Sequence, residues 1–230
     1  MPTLAHRLLD RVLTHGTVTG VRNVTPRVIG VRIAAQGLRW TPGQQVRVLV
    51  GGGGLGTRRT YSVRDYDGAA FELFVLQHGD GPGAAWARGV REGEEVLFSG
   101  PEGRFVPQVG AAYHLFAGEE TAAAAFGPMI AALAGAGHHA VIEVDTAEDR
   151  IPVEGDVTWT YRHGTPAADS PGLLEALRGL DLPEEPGVAY LAGEARTVQS
   201  LRRHLVTERG WPRRAVLTKP FWAPGKRGLE

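Results

Sequence analysis

Arg59-Thr60-Tyr61-Ser62-Val63-Arg64 gathers two cations, a phenol and a small hydroxyl on one short β-prone stretch. On a strand successive side chains alternate faces, so Arg59, Tyr61 and Val63 share one side and Ser62 and Arg64 the other, unless the strand kinks. A kinked or terminal strand brings guanidinium, ring and hydroxyl onto one ligand that is flat at one end and anionic at the other, the description of a flavin nucleotide. The competing reading is an edge strand with solvated arginines and a core tyrosine. The flanking sequence weighs between the two.

Upstream, Thr17-Val18-Thr19, Val28 to Ile33 and Gln45 to Val50 read as strands rich in β-branched residues, and Trp40-Thr41-Pro42-Gly43-Gln44 reads as a Pro-Gly turn. Residues 4–13 suit a short amphipathic helix, and Gly51 to Gly56 a hairpin end with no phosphate role, because no helix follows it. Downstream, residues 60–65, Phe71 to Leu76 and Glu95 to Phe98 continue the strands, which predicts a small antiparallel barrel. One helix interrupts it. His78-Gly79-Asp80-Gly81-Pro82-Gly83 leads into Ala84-Ala85-Trp86-Ala87-Arg88, and a Gly-Pro-Gly approach to a helix N-terminus suits an anion as well as it suits an ordinary cap. Gly100 to Phe105 breaks the pattern as a domain junction.

From Tyr113 the period changes. His114 to Ala117 is a predicted strand, Gly118-Glu119-Glu120-Thr121 a turn, and Ala122 to Leu133 a helix. Strands at 140–144 and 157–161, a helix at 172–178 and a strand from Val188 follow. The last passes through Ala192-Gly193-Glu194-Ala195 into a helix ending near Thr207, and a strand at 214–217 closes the alternation. Such alternation predicts a parallel sheet with ligands at the carboxyl ends of its strands. No GxGxxG is present, so a dinucleotide is expected to use the backbone of the two strand-to-helix turns. The fold class is therefore two-domain β plus α/β, with residues 1–107 the antiparallel barrel and 108–230 the parallel-sheet α/β domain.

Composition excludes several chemistries. Lysine plus arginine number 25 and aspartate plus glutamate 25, so no polyanion field favours nucleic acid. There is no cysteine, which rules out disulfides, thiolate metal sites and thiol nucleophiles. Met1 to Leu13 lacks a signal-peptide core and no run reaches the length of a membrane span, so a soluble cytoplasmic protein is expected. His138-His139, in an expected loop without a third partner, reads as solvated rather than metal-binding.

With both halves in view, the chain from about Thr17 to Gly228 resembles the siderophore-interacting protein family, flavin-dependent ferric-siderophore reductases related to ferredoxin–NADP reductases. The turn at residues 40–44 resembles their Pro-Gly-Gln turn, and residues 59–64 resemble their flavin signature. The segment His78-Gly79…Gly81-Pro82…Trp86-Ala87 is similar to one bound to flavin phosphate, and Gly118 to Ala122 to the family's Gly-Asp-Glu-Thr-Ala. Val157-Thr158-Trp159…Arg162 with Ala192 to Leu205 is the most specific part. Three departures stand out. Ala84 or Ala85 replaces a serine, Lys219 to Gly225 replaces a Gly-Tyr-Trp-Arg-x-Gly motif, and the chain ends soon after Gly228.

The resemblance implies FAD held by Arg59, Thr60, Tyr61, Ser62 and Arg64 together with His78, Gly81, Gly83, Ala84, Ala85 and Trp86. The two arginines would take the phosphate or ribityl end, Tyr61 the ring and Ser62 the region of N5. It makes residues 1–107 the FAD-binding domain and 108–230 the NAD(P)H-binding domain. It implies Thr121 completing the surroundings of the flavin ring from the second domain, and NADPH, or NADH, as electron donor, with Gly193 and Glu194 at the turn after the strand 188–191 and Arg162 or Arg196 pairing with a 2′-phosphate. The substrate implied is a ferric siderophore or other ferric chelate, met at an exposed flavin edge by Lys219, Trp222, Lys226 and Arg227. No catalytic acid or base and no protein metal site are expected, and the protein is expected to be a monomer. A general flavin or ferredoxin-type NADP reductase serving a protein partner, and a flavin-free siderophore-binding module, are the alternative readings.

Overall fold

The computed structural model describes residues 13–51, 57–77, 79 and 81–226. The expected N-terminal helix, most of the glycine loop, His78 and Arg227 lie outside the described residues.

Six strands of the first unit close into a barrel in the order β1-β2-β5-β4-β3-β6. They are β1 (Thr14–Thr25), β2 (Val28–Ala34), β3 (Gln45–Val50), β4 (Thr57–Tyr66), β5 (Ala70–Leu76) and β6 (Glu95–Glu102). The period of two sends Val46, Val48 and Val50 of β3, Val63 of β4 and Phe71 and Leu73 of β5 into one core. Burying each such side chain stabilises by roughly 1.5–3 kcal/mol. Helix α1 (Pro82–Gly89) starts at its proline, as expected, and packs Ala87 and Trp86 against that core.

Two strand boundaries differ from expectation. Strand β1 is much longer than Thr17-Val18-Thr19, because its outward residues, among them His15, Arg22 and Asn23, face water and hide the apolar period. Strand β6 runs on through the expected junction to Glu102. It passes Gly100, at φ +105°, where a Cβ would stand 2.9 Å from the Gln45 carbonyl oxygen. The chain divides after Arg104 into two compact units. Residues 105–107 therefore go with the second unit, in which Phe105 packs edge-on against Tyr190 at 5.7 Å.

The second unit is a parallel sheet in the order β11-β10-β7-β8-β9. It comprises β7 (His114–Glu119), α2 (Glu120–Ala131), β8 (His138–Val144), β9 (Thr158–Tyr161), α3 (Pro171–Arg178), β10 (Val188–Glu194), α4 (Ala195–Arg203) and β11 (Val216–Trp222). Every residue of β7 is buried, as in a sheet covered on both faces. His138 and His139 open β8 rather than occupying a loop, and His139 meets the Tyr113 ring at 5.4 Å. The expected turns at Gly118 and at Ala192 are instead the last residues of β7 and β10, and a helix starts directly after each. Strand β11 also outruns its expected end. It accommodates Pro220 because it is an edge strand, where a missing N–H need break no ladder. The chain steps from β7 outward to β8 and β9, then returns to β10 and β11. The topological switch therefore lies at the carboxyl ends of β7 and β10, where open α/β sheets take ligands.

Candidate functional site

In the barrel unit, Val46 pairs with Tyr61 and Val48 with Arg59, so both signature residues share the inward face of β4. There they meet the first turn of α1. A Cβ at Gly83 would overlap the Tyr61 hydroxyl and stand 3.6 Å from Cγ of Arg59. The Tyr61 ring lies 5.9 Å from that of Trp86. Burial raises the Tyr61 pKa strongly, against the opposing charge of Arg59, so the phenol stays a hydrogen-bond donor throughout the physiological range.

Helix α1 begins at Gly81 with no side-chain cap, no acidic residue in its first turn, and Pro82 lacking an N–H. First-turn N–H groups of a helix have no intrahelical acceptor, and the dipole there favours an anion. Ala84 and Ala85 add no hydroxyl, so the donors near this corner are backbone N–H groups and the Arg59 guanidinium, which donates to the Arg58 carbonyl at 2.8 Å. A phosphate fits such a donor set.

Arg64 lies on the opposite face of β4, next to the core residue Val63, with its guanidinium over the Phe74 ring at 5.8 Å; Arg22 covers the same ring at 5.5 Å. Arg59 and Arg64, expected to share the phosphate or ribityl end, thus lie on opposite faces of β4, and of the two it is Arg59 whose stem approaches the α1 corner. Thr60 and Ser62 alternate with Tyr61 and face away from the barrel interior with Arg64.

In the second unit, the carboxyl edge of the sheet is lined by buried glutamates. Glu119 accepts from the Thr121 N–H at 2.8 Å, from the Thr121 hydroxyl, and from the Trp222 indole N–H at 3.0 Å. Its pKa is pushed up to about 7 by burial first and by the neighbouring Glu120 second. Oε2 of Glu194 accepts from the N–H groups of Arg196 and Thr197, each at 2.9 Å, and of Asp169 at 3.3 Å, while Oε1 is buried without a partner. Glu143 accepts from the Ser170 hydroxyl at 2.5 Å, and that hydroxyl caps α3 by accepting from the Leu173 N–H. Burial raises the Glu143 pKa, opposed by the Ser170 bond and by Arg162.

Two sequence-based assignments change here. Arg162 is buried, and its two Nη atoms donate to the carboxylate of Glu120 at 2.5 and 2.6 Å, with Glu143 at 3.6 Å. Its guanidinium neutralises this acidic interior, so the expected 2′-phosphate partner is already engaged; a buried cluster of carboxylates needs a cation to be held together. The backbone N–H groups expected to meet a dinucleotide at Thr121 and after Gly193 are likewise taken, by Glu119 and Glu194. Arg196 keeps an exposed side chain in the first turn of α4.

Sequence reasoning missed Glu119, Glu120 and Glu143. A signal was available for the first: Ala-Gly-Glu occurs at 117–119 and again at 192–194, ending β7 and β10. Both glycines are sites of close approach. A Cβ at Gly118 would stand 2.6 Å from that of Ala122, and one at Gly193 would stand 2.6 Å from Oε1 of Glu119. On β11, Trp222 is half-buried on Glu119 and Lys219 is half-buried; Lys226, beyond the strand, is exposed.

Comparison with known proteins identifies the family. Residues 44–105 match the siderophore-interacting FAD-binding domain and residues 111–225 the siderophore-interacting protein domain. An uncharacterized protein of Mycobacterium tuberculosis is 34% identical over 186 residues, and the ferric vibriobactin reductase ViuB of Vibrio cholerae 30% identical over 178. Each match spans 73% of this chain and 65% of the relative's length. The crystal structure of a siderophore utilization protein from T. fusca superposes with a TM-score of 0.83 at 25% identity, covering 95% of both chains. From its barrel through the parallel sheet that follows it, this chain belongs to the siderophore-interacting protein family.

Proposed function

We propose that this protein binds FAD, takes reducing equivalents from NADPH or NADH, and reduces a ferric siderophore or another ferric chelate so that Fe(II) is released. The observation that carries the reading is the α1 corner, where Arg59, the protonated phenol of Tyr61 and an uncapped helix N-terminus converge. When bound, FAD supplies the conversion of a two-electron hydride into single-electron transfers, which Fe(III) requires.

The chain's own residues bind and orient. Arg59 pairs with phosphate and the first-turn N–H groups of α1 share that charge. Tyr61 and Trp86 give the ring system an apolar wall. Arg196 meets the donor with an exposed guanidinium, and Lys219 and Lys226 attract an anionic chelate. No side chain has to move a proton. Iron leaves because Fe(II) binds hard oxygen donors less tightly than Fe(III). Among the described residues no helix is long and apolar enough to cross a membrane.

The test is the visible spectrum of the purified protein before and after anaerobic NADPH, followed by a ferric chelate. The reading requires a flavin band that NADPH bleaches and the chelate restores. A colourless protein that takes up no added FAD ends it. Arg59→Ala should weaken FAD binding by about ten- to hundredfold, the loss of one charge-assisted contact.

A further inference from the structure

We propose that Glu119 and Glu194 fill the anion sockets of the nicotinamide domain and keep the donor's diphosphate away from the N-termini of α2 and α4. The identity of the donor rests on the reading above; the filled sockets do not. In a parallel α/β sheet the helix N-termini at the topological switch are the ordinary seat of a phosphate, because their first N–H groups lack intrahelical acceptors. Among the described residues both of these termini, and that of α3, have an internal occupant. Glu119 takes the N–H of Thr121 at α2, and Glu194 those of Arg196 and Thr197 at α4. The Ser170 hydroxyl takes that of Leu173 at α3.

The two carboxylates are not surface groups that could swing aside. Glu119 and Glu194 are 1% and 0% exposed. Three donors hold Glu119, and Gly193 closes over it with no room for a Cβ. Glu194 spends one oxygen on three backbone N–H groups and leaves the other buried and unpartnered beside the same terminus. An incoming diphosphate would find the N–H groups of Thr121, Arg196 and Thr197 used and a buried carboxylate behind each terminus. The donor is therefore held by its nicotinamide ribose half and by side chains such as Arg196, not by the strand-to-helix turns.

The experiment uses the full FAD-loaded chain, so that the flavin's own phosphate site is filled. Isothermal titration with inorganic pyrophosphate and with NADP⁺ is run on the parent, Glu194→Ala, Glu119→Ala and Glu194→Gln, each checked for native circular dichroism. The alanine variants open a socket and should bind both probes at least about tenfold tighter than the parent, the value of one charge-assisted hydrogen bond or more. The glutamine variant keeps the socket filled and should stay near the parent. Weaker NADP⁺ binding by folded Glu194→Ala overturns the proposal, because Glu194 would then be a donor ligand.

A measurement on the parent alone guards against variants that fail to fold. Millimolar pyrophosphate should leave its NADPH oxidation unchanged, and reduced nicotinamide mononucleotide, which lacks the diphosphate, should serve within about tenfold of NADPH in kcat/KM. Inhibition by pyrophosphate or a far larger gap overturns the proposal. If the parent oxidises no reduced nicotinamide while the alanine variants gain pyrophosphate binding, the donor reading fails and the filled sockets stand.

Discussion

Replacing Glu119 by glutamine should change how the protein's stability depends on pH. Burial and the adjacent Glu120 lift the Glu119 carboxyl from 4.5 to about 7 in the folded chain. The folded state then holds this proton more tightly than the unfolded state. The associated stability is fully present below the unfolded value and is lost as pH rises through the folded one. A tenfold change in proton affinity is about 1.4 kcal/mol, so the loss across this window is about 3 kcal/mol. Glutamine never ionises and does not suffer it. Its single carbonyl oxygen replaces two acceptors for Thr121 and Trp222, at a cost of about 1 kcal/mol. Above neutral pH the variant should thus be about 2 kcal/mol more stable than the parent, and near the acid end of the window about 1 kcal/mol less stable. Urea unfolding followed by far-UV circular dichroism, parent against variant at several values between about pH 5 and pH 8, measures the difference directly. A difference that stays flat over that range refutes the argument, since it would mean Glu119 titrates alike in both states.

Gly83→Ala should cost about 1–3 kcal/mol by overpacking against Tyr61 and should abolish FAD retention, seen as a colourless protein with a lowered Tm. A yellow, equally stable variant would separate Tyr61 from the flavin site. Arg162→Ala strands Glu120 in the interior and should destabilise by about 3–5 kcal/mol while leaving the NADPH to NADH ratio of kcat/KM unchanged; a collapse of that ratio in a still-folded variant restores the phosphate role. Changing Lys219, Lys226 and Arg227 together to alanine should slow turnover of an anionic ferric chelate more than a neutral one, with added salt erasing the difference. Equal losses on both chelates count against electrostatic attraction.

The barrel was legible because β2, β3 and β5 are short runs rich in β-branched and other apolar residues, with a clean period of two in Val46-Val48-Val50 of β3. Strand β1 was not, because a strand wet on one face and rich in Arg, Asn and His dilutes its own signal. In the second unit the alternation of strands and helices was plain, yet their junctions were misplaced by the same kind of residue each time. A glutamate following a glycine reads as a solvated turn. Glu119 and Glu194 are nevertheless strand residues, because the N–H groups of the next helix receive their carboxylates in the interior, a compensation that exists only once the helix has formed. Arg162 was misassigned for the related reason that its partner, Glu120, lies 42 positions away.

The two margins of the second sheet carry a further consequence. An uncovered strand edge is a template on which another chain can lay a strand of its own, and growth by that route leads to precipitation. On one margin β11 sets Pro220 among the ladder residues, where an N–H is missing and a neighbour's carbonyl finds no donor. On the other, β9 is only 4 residues long, too short to hold a foreign strand in register. The barrel, being closed, offers no margin. Replacing Pro220 by valine would lengthen the usable edge, and such a protein should scatter light on concentration where the parent stays clear.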